Sequence, residues 1–120
     1  MEFYELEVWK KGYELLIEIY KLTATYPKEE KYNLINQTRS SANSVIAQIA
    51  EAFGRYSFAD RIRVLYQARG ESEETRSHLR VAFGLKYMSE EKFNYLEQEY
   101  RGLGAGINSY IKSLSKYRKL

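Results

Sequence analysis

Residues Asn36 to Gly54 read NQTRSSANSVIAQIAEAFG, and this stretch decides the fold. It contains no proline and is long enough for about five helical turns. Gln37, Asn43, Gln48 and Glu51 are threaded among its apolar positions, beside Ser40, Ser41, Ala42 and Ser44. A helix built for stability alone would carry larger aliphatic groups at many of these sites. Small residues let neighbouring helices approach closely, and polar groups buried there need partners, because an orphan costs about 1–3 kcal/mol. The expectation is a closely packed helix carrying an interior polar network. Gln37, Gln48 and Glu51 belong to it from this helix, and Ser72, Glu74 and Thr75 from a neighbour.

Outward from this stretch, the chain divides into helices. On the N-terminal side, Leu6, Trp9, Tyr13, Leu16, Tyr20 and Ala24 recur at three- and four-residue steps, and Val8, Leu15, Ile19 and Leu22 form a second stripe. A surface helix needs one stripe, so the extra one must be covered. Tyr26-Pro27 ends this helix, because a residue before proline is pushed out of the helical region. The second helix carries Ile35, Thr38, Ala42, Val45, Ile49 and Ala52 along its main stripe and closes at Gly54. Ser57 with Asp60 resembles a capping box that opens a third helix. Its seam is Leu65, Ala68, Ser72, Thr75, Leu79 and Ala82. Ser89-Glu90-Glu91 starts a fourth, with Phe93, Leu96, Tyr100, Leu103, Ile107, Ile111 and Leu114 at nearly heptad spacing. Residues 1–120 thus form a single all-α domain, an up-down-up-down antiparallel four-helix bundle with helices near 4–25, 29–53, 58–85 and 90–117.

Bulk composition narrows the functional classes. Hydrophobic residues at 44% and charged residues at 29% describe a globular chain. There is no cysteine, which removes disulfides, thiolate catalysis and cysteine-based zinc sites. No apolar run approaches the ~20 residues of a membrane span, and the acidic N-terminus lacks the order of a signal peptide, so a cytoplasmic protein is expected. The net charge of +3 is unevenly spread: residues 1–27 sum to −2 and residues 57–120 to +4. A basic half suits an anionic partner.

Several constellations invite chemical readings. Gly102, Gly104 and Gly106 resemble a phosphate loop, but helix-compatible sequence lies on both sides and no strand precedes them. Close helix approach or a local bend is the better account. Glu51, Glu74 and His78 would be the candidates for a di-metal bundle site, yet that site uses two Glu-x-x-His pairs, and this chain has one histidine. No metal, no cofactor and no catalytic residue is expected, and the chain reads as a non-enzyme. The third helix offers Arg61, Arg63, Arg69, Arg76 and Arg80, of which Arg69, Arg76 and Arg80 share one side. Arginine forks suit phosphates, and they equally suit neutralising carboxylates or salt bridges between subunits. Lys112, Lys116, Arg118 and Lys119 form a basic C-terminal set that could simply face Glu2, Glu5 and Glu7. Twelve tyrosines can stack bases or bury area at protein interfaces, and the doubled stripe of the first helix favours interface burial for Val8, Tyr20 and Tyr32.

One pattern is more specific. Leu6-x-Val8-Trp9-Lys10, Leu16, Ile19-Tyr20-Lys21, Pro27-x-Glu29, Tyr32-x-Leu34 and Gln37-x-Arg39 are followed by Ser44, Ile49-Ala50-Glu51-x-x-Gly54-Arg55, Ser57 and Ala68-x-Gly70-x-Ser72-x-Glu74. Together they resemble a bacterial four-helix-bundle family first noticed as reading frames in intervening sequences of large-subunit ribosomal RNA genes. Its relatives include the Avd-type accessory proteins of diversity-generating retroelements. The resemblance implies a homopentameric barrel with a basic surface that binds nucleic acid, RNA or DNA, and a reverse transcriptase as a further partner. By position it nominates Arg76 and Arg80 for that role, with Arg69 beside them and Arg63, Lys112 and Lys116 as further basic candidates. The chain departs from the family's Ser-Ile-Pro-x-Asn-Ile-Ala-Glu-Gly, carrying Ile46, Gln48 and Ala52 in place of the proline, asparagine and glycine. All three changes raise helix propensity, so any bend in the second helix should be weaker here. A protein-binding scaffold oligomer with no nucleic-acid role is the competing reading.

Overall fold

In the computed structural model, which describes residues 1–118, four long helices follow one another: α1 (Glu7–Thr23), α2 (Leu34–Gly54), α3 (Phe58–Gly84) and α4 (Glu90–Arg118). There is no strand among the described residues. Cross-helix contacts show each to be antiparallel to the next. Gly12 and Thr23 of α1 meet Ile46 and Arg39 of α2, and Arg69 and Arg76 of α3 meet Asn108 and Glu97 of α4. Ser41 of α2 meets Thr75 of α3, the two lying about as far to either side of the turn at 55–57. Lys11 bonded to Glu99 and Glu18 near Lys92 bring α1 back against α4 and close the bundle. The molecule measures 51 × 24 × 20 Å.

The termini of the helices follow from local chemistry. Ser57 Oγ accepts the Asp60 amide at 3.1 Å and opens α3, and Ser89 Oγ accepts that of Lys92 at 3.1 Å and opens α4. α2 begins at Leu34, later than the helical pattern suggests. Pro27 leads instead into a short 3-10 turn at Lys28–Glu30, whose Glu30 carboxylate reaches the Leu34 amide at 3.4 Å. α3 ends on Lys86, which takes the left-handed conformation (φ 67°) usually given to glycine.

The core runs the length of the bundle through Leu15, Ile19, Val45, Ile49, Leu65, Leu79, Leu96 and Ile107, all fully buried. The seams of α3 and α4 are those expected from the sequence. For α1 the structure divides the stripes: Leu15, Ile19 and Leu22 enter the core together with Leu16 of the other stripe, whose Tyr13 and Tyr20 stay exposed. Tyr20 lies beneath the Arg39 guanidinium, 4.5 Å from ring centre to Cζ, and Tyr32 is exposed. α2 runs through Ile46, Gln48 and Ala52 as one helix, and Ile46 packs where a Cβ on Gly12 would sit 2.5 Å from its Cγ2. Gly12 is therefore the residue that lets α1 and α2 close. Among the three glycines of α4 only Gly106 serves close approach, since a Cβ added there would stand 3.2 Å from Val8 Cγ1. Gly102 and Gly104 have open space around them, so packing does not explain them.

Candidate nucleic-acid interface

The seam between α3 and α4 gathers the cations. Along α3, helical register puts Arg63, Tyr66, Arg69, Glu73, Arg76 and Arg80 on one stripe, since they are three or four residues apart. On α4 the facing stripe is Glu97, Arg101, Asn108, Lys112 and Lys116. Contacts join the two. Arg69 donates from Nη1 to Asn108 Oδ1 at 2.8 Å, and its guanidinium lies 4.9 Å from the Tyr66 ring centre. Arg80 lies 5.0 Å from the Phe93 ring centre.

Glu97 is the hub of this seam. One of its oxygens accepts from Arg76 Nη2 at 2.5 Å and Nε at 3.2 Å, and Arg80 Nη2 stands 3.7 Å away. Arg76 Nη1 is held in turn by the Glu73 carboxylate at 2.9 Å. The Arg76 hydrogen bond, with Arg76, Arg80 and Arg101 charge behind it, holds the Glu97 carboxyl below the ordinary carboxylate range against the opposing effect of burial. Arg76 is thus committed on all three nitrogens to carboxylates of its own chain. Arg80 is two-thirds exposed (67%), and Arg63 meets Asp60 only at 3.7 Å. Arg101, Lys112 and Lys116 are exposed. The cations with capacity to spare for phosphate are therefore Arg63, Arg69, Arg80, Arg101, Lys112 and Lys116. Arg101 was missed by sequence reasoning, although its spacing of four from Glu97 and seven from Asn108 puts it on the same stripe.

Lys112 and Lys116 do not draw on the N-terminal acids: Glu7 is 3.6 Å from Lys10, and Glu5 accepts the Glu2 amide at 2.6 Å. Arg118 ends α4, and Lys119 lies outside the described residues.

The expected interior polar network is corrected on three of its six members. Gln37, Glu51 and Glu74 are exposed, and Glu51 bonds Arg55 at 2.6 Å. Gln48 is half-buried with Oε1 unpartnered, and Ser72 is buried with Oγ unpartnered. The reason is rotational phase: Gln37, Ser44 and Glu51 repeat every seven residues one step off the seam of Thr38, Val45 and Ala52. What α2 and α3 do share inside is the Ser41–Thr75 hydroxyl pair at 2.7 Å. Outside it lies an open groove of about 510 Å³ lined by Gln37, Ser40, Ser44, Glu71, Glu74 and His78. Burial and a hydrogen bond shared with Glu74 raise the Glu71 carboxyl above its ordinary value. Among the described residues no three His, Cys, Asp or Glu side chains come together as a metal would require. No helix among them is long and apolar enough to cross a membrane.

Residues 4–109 match the family model of the 23S rRNA-intervening sequence protein. The chain belongs to that family. A crystal structure from Bacteroides thetaiotaomicron VPI-5482, of a protein of unknown function from the S23 ribosomal protein family, is similar to it at 27% identity and a TM-score of 0.81. The similarity covers 88% of this chain and 95% of that one. No curated protein matches. The fold is thus shared with a solved structure.

Proposed function

We propose that this protein is a non-enzymatic, homo-oligomeric accessory protein that binds nucleic acid, with RNA as the leading ligand. One observation carries the reading: Arg63, Arg69, Arg80, Arg101 and Lys112 line one seam, and only part of their charge is answered, by Asp60 and by Glu97. Such a stripe neutralises phosphates and releases counterions, giving little sequence preference and steep salt dependence. Tyr66, held by Arg69, adds an aromatic face of the kind on which bases stack. The pentameric barrel and the reverse-transcriptase partner rest on the resemblance to Avd-type relatives, and the cytoplasmic setting on the sequence lacking an apolar span and the order of a signal peptide.

The test is binding of a labelled structured RNA across ~50–200 mM salt, with the protein's mass measured by light scattering in the same buffer. Replacing Arg69 and Arg80 by Ala should weaken binding and lower the logarithmic salt slope by about one per lost phosphate contact, with helix content unchanged. Equal binding by the variant at low salt would remove the seam from the reading. A second reading, an oligomeric protein-binding scaffold, is favoured by the exposed Tyr13, Ile17 and Tyr20 on α1 and by the carboxylate clamp on Arg76. It predicts an oligomer that retains no RNA even at low salt.

A further inference from the structure

A second basic cluster lies where α1 gives way to α2, on helices that take no part in the α3–α4 seam. Here a cavity of about 350 Å³ is lined by Lys28, Lys31 and Arg39 against a wall of Ala24, Tyr26 and Ile35. That is about the smallest volume in which small-molecule ligands are commonly enclosed. No carboxylate lines it. Among the described residues none of these three cations takes part in an ion pair. Of the two acids between the lysines, Glu30 is committed to the Tyr87 hydroxyl at 2.7 Å and the Leu34 amide at 3.4 Å, and Glu29 is exposed and makes no ion pair with either lysine.

The site is also built rather than merely charged. Arg39 is pinned by Nε donating to Thr23 Oγ1 at 2.8 Å, by Nη2 donating to the Tyr20 carbonyl at 3.3 Å, and by the Tyr20 ring beneath it. Its fork is pre-set while Nη1 has no protein partner, so little rotamer freedom is lost on binding an anion. Ile35 belongs to the first turn of α2, where amides lack helical acceptors, and the Asn33 side chain does not cap that turn. Tyr26 is 95% buried, and its hydroxyl has no hydrogen-bond partner. Burial, and then the neighbouring Tyr87, push that phenol up to about 12, so it keeps its proton and stays a donor at neutral pH.

We propose that this corner binds a nucleotide, with Lys28, Lys31 and Arg39 taking its phosphoryl groups and the Ala24–Tyr26–Ile35 wall its planar body. A bare anion would leave the apolar wall unused, and a neutral ring would leave three cations unanswered. The site does not depend on the α3–α4 reading, and the two can fail separately.

The experiment is titration of the whole chain with a fluorescent ADP at low salt, with unlabelled ADP, adenosine and inorganic phosphate as competitors. Saturable binding is expected, with unlabelled ADP displacing the probe better than phosphate or adenosine. The double variant Lys28→Ala, Lys31→Ala should bind at least about tenfold more weakly, since charge-assisted contacts are lost. Both lysines are exposed, so its helix content should be unchanged. The Arg69→Ala, Arg80→Ala protein should bind ADP as well as the parent. Absence of saturable binding, retention of full affinity by the double lysine variant, or equal loss in the arginine variant would overturn the site. Phosphate competing as well as ADP would overturn the nucleotide assignment.

Discussion

α3 has two long seams, and they treat a carboxylate in opposite ways. Toward α4, Glu97 sits among Arg76, Arg80 and Arg101, and its carboxyl is held below the ordinary range. Toward α2, Glu71 stands beside Glu74, serines and a histidine, and burial first, then the Glu74 carboxylate, raise its carboxyl. Both groups are only partly buried, so desolvation alone does not separate them. The neighbours decide: an arginine fork favours the charged form, while a second carboxylate disfavours it. One seam is therefore a basic surface with a carboxylate rivet in it, and the other a polar groove with an excess of acid.

The rivet should give the largest effect. Arg76→Ala leaves Glu97 mostly buried without its main partner and should destabilise the fold by about 2 kcal/mol, given that one member of a partly buried pair is removed. Adding Glu97→Gln to that variant should recover part of the loss. Urea unfolding of the two single variants and the double reads this directly, and a loss below ~0.5 kcal/mol, the range of exposed pairs, would reduce the rivet to a surface contact.

The pH dependence sharpens the contrast through its sign. Glu97 is depressed in the folded state, so its stabilisation is present above the ordinary carboxylate range and is lost as pH falls through it. Glu71 is raised, so its contribution is favourable at low pH and is lost as pH rises through its folded value. At pH 7, Glu71→Gln should accordingly raise stability by about 0.2–0.5 kcal/mol, the scale of a like-charge pair one turn apart, and the gain should vanish near pH 4. Glu97→Gln should do the reverse, costing stability at pH 7 and little in acid. Two variants with parallel pH profiles would mean that the seams do not differ electrostatically.

The smallest change lies at the end of α3, beyond both seams. Lys86→Gly frees a left-handed position from its Cβ and should raise the melting temperature slightly, for a gain of up to about 1 kcal/mol. An unchanged or lower melting temperature would mean that the Lys86 side chain offsets its own backbone cost.

Much of this was legible in the sequence because helical period is a property of one segment. The seams of α3 and α4 and the caps at Ser57 and Ser89 follow from local spacing; α2 does end at Gly54, but in helical backbone and not in the left-handed conformation that a closing glycine suits. What was not legible depends on how one helix is rotated against another. α1 carries two stripes, and only its neighbours choose Leu15 and Ile19 over Tyr13 and Tyr20. The same ambiguity of phase put Gln37, Glu51 and Glu74 inside when they face out. Pairing across helices was out of reach as well. Nothing in the order of residues says that Arg76 spends its fork on Glu97, or that Arg39 joins Lys28 and Lys31 around one cavity.

The order in which the helices touch has a consequence in time. α2 packs on α1, α3 on α2 and α4 on α3, neighbours in the chain, while the return of α1 against α4 and the Tyr87–Glu30 bond join residues far apart. A search dominated by local encounters is quick, and helical bundles of this connectivity fold in microseconds to milliseconds. Loop-closure entropy predicts that the contacts of greatest sequence separation, Lys11 with Glu99 and Val8 with Gly106, form last. Until then the apolar edge of a three-helix hairpin array stands open, and this is the moment at which the nascent chain is most exposed to wrong partners.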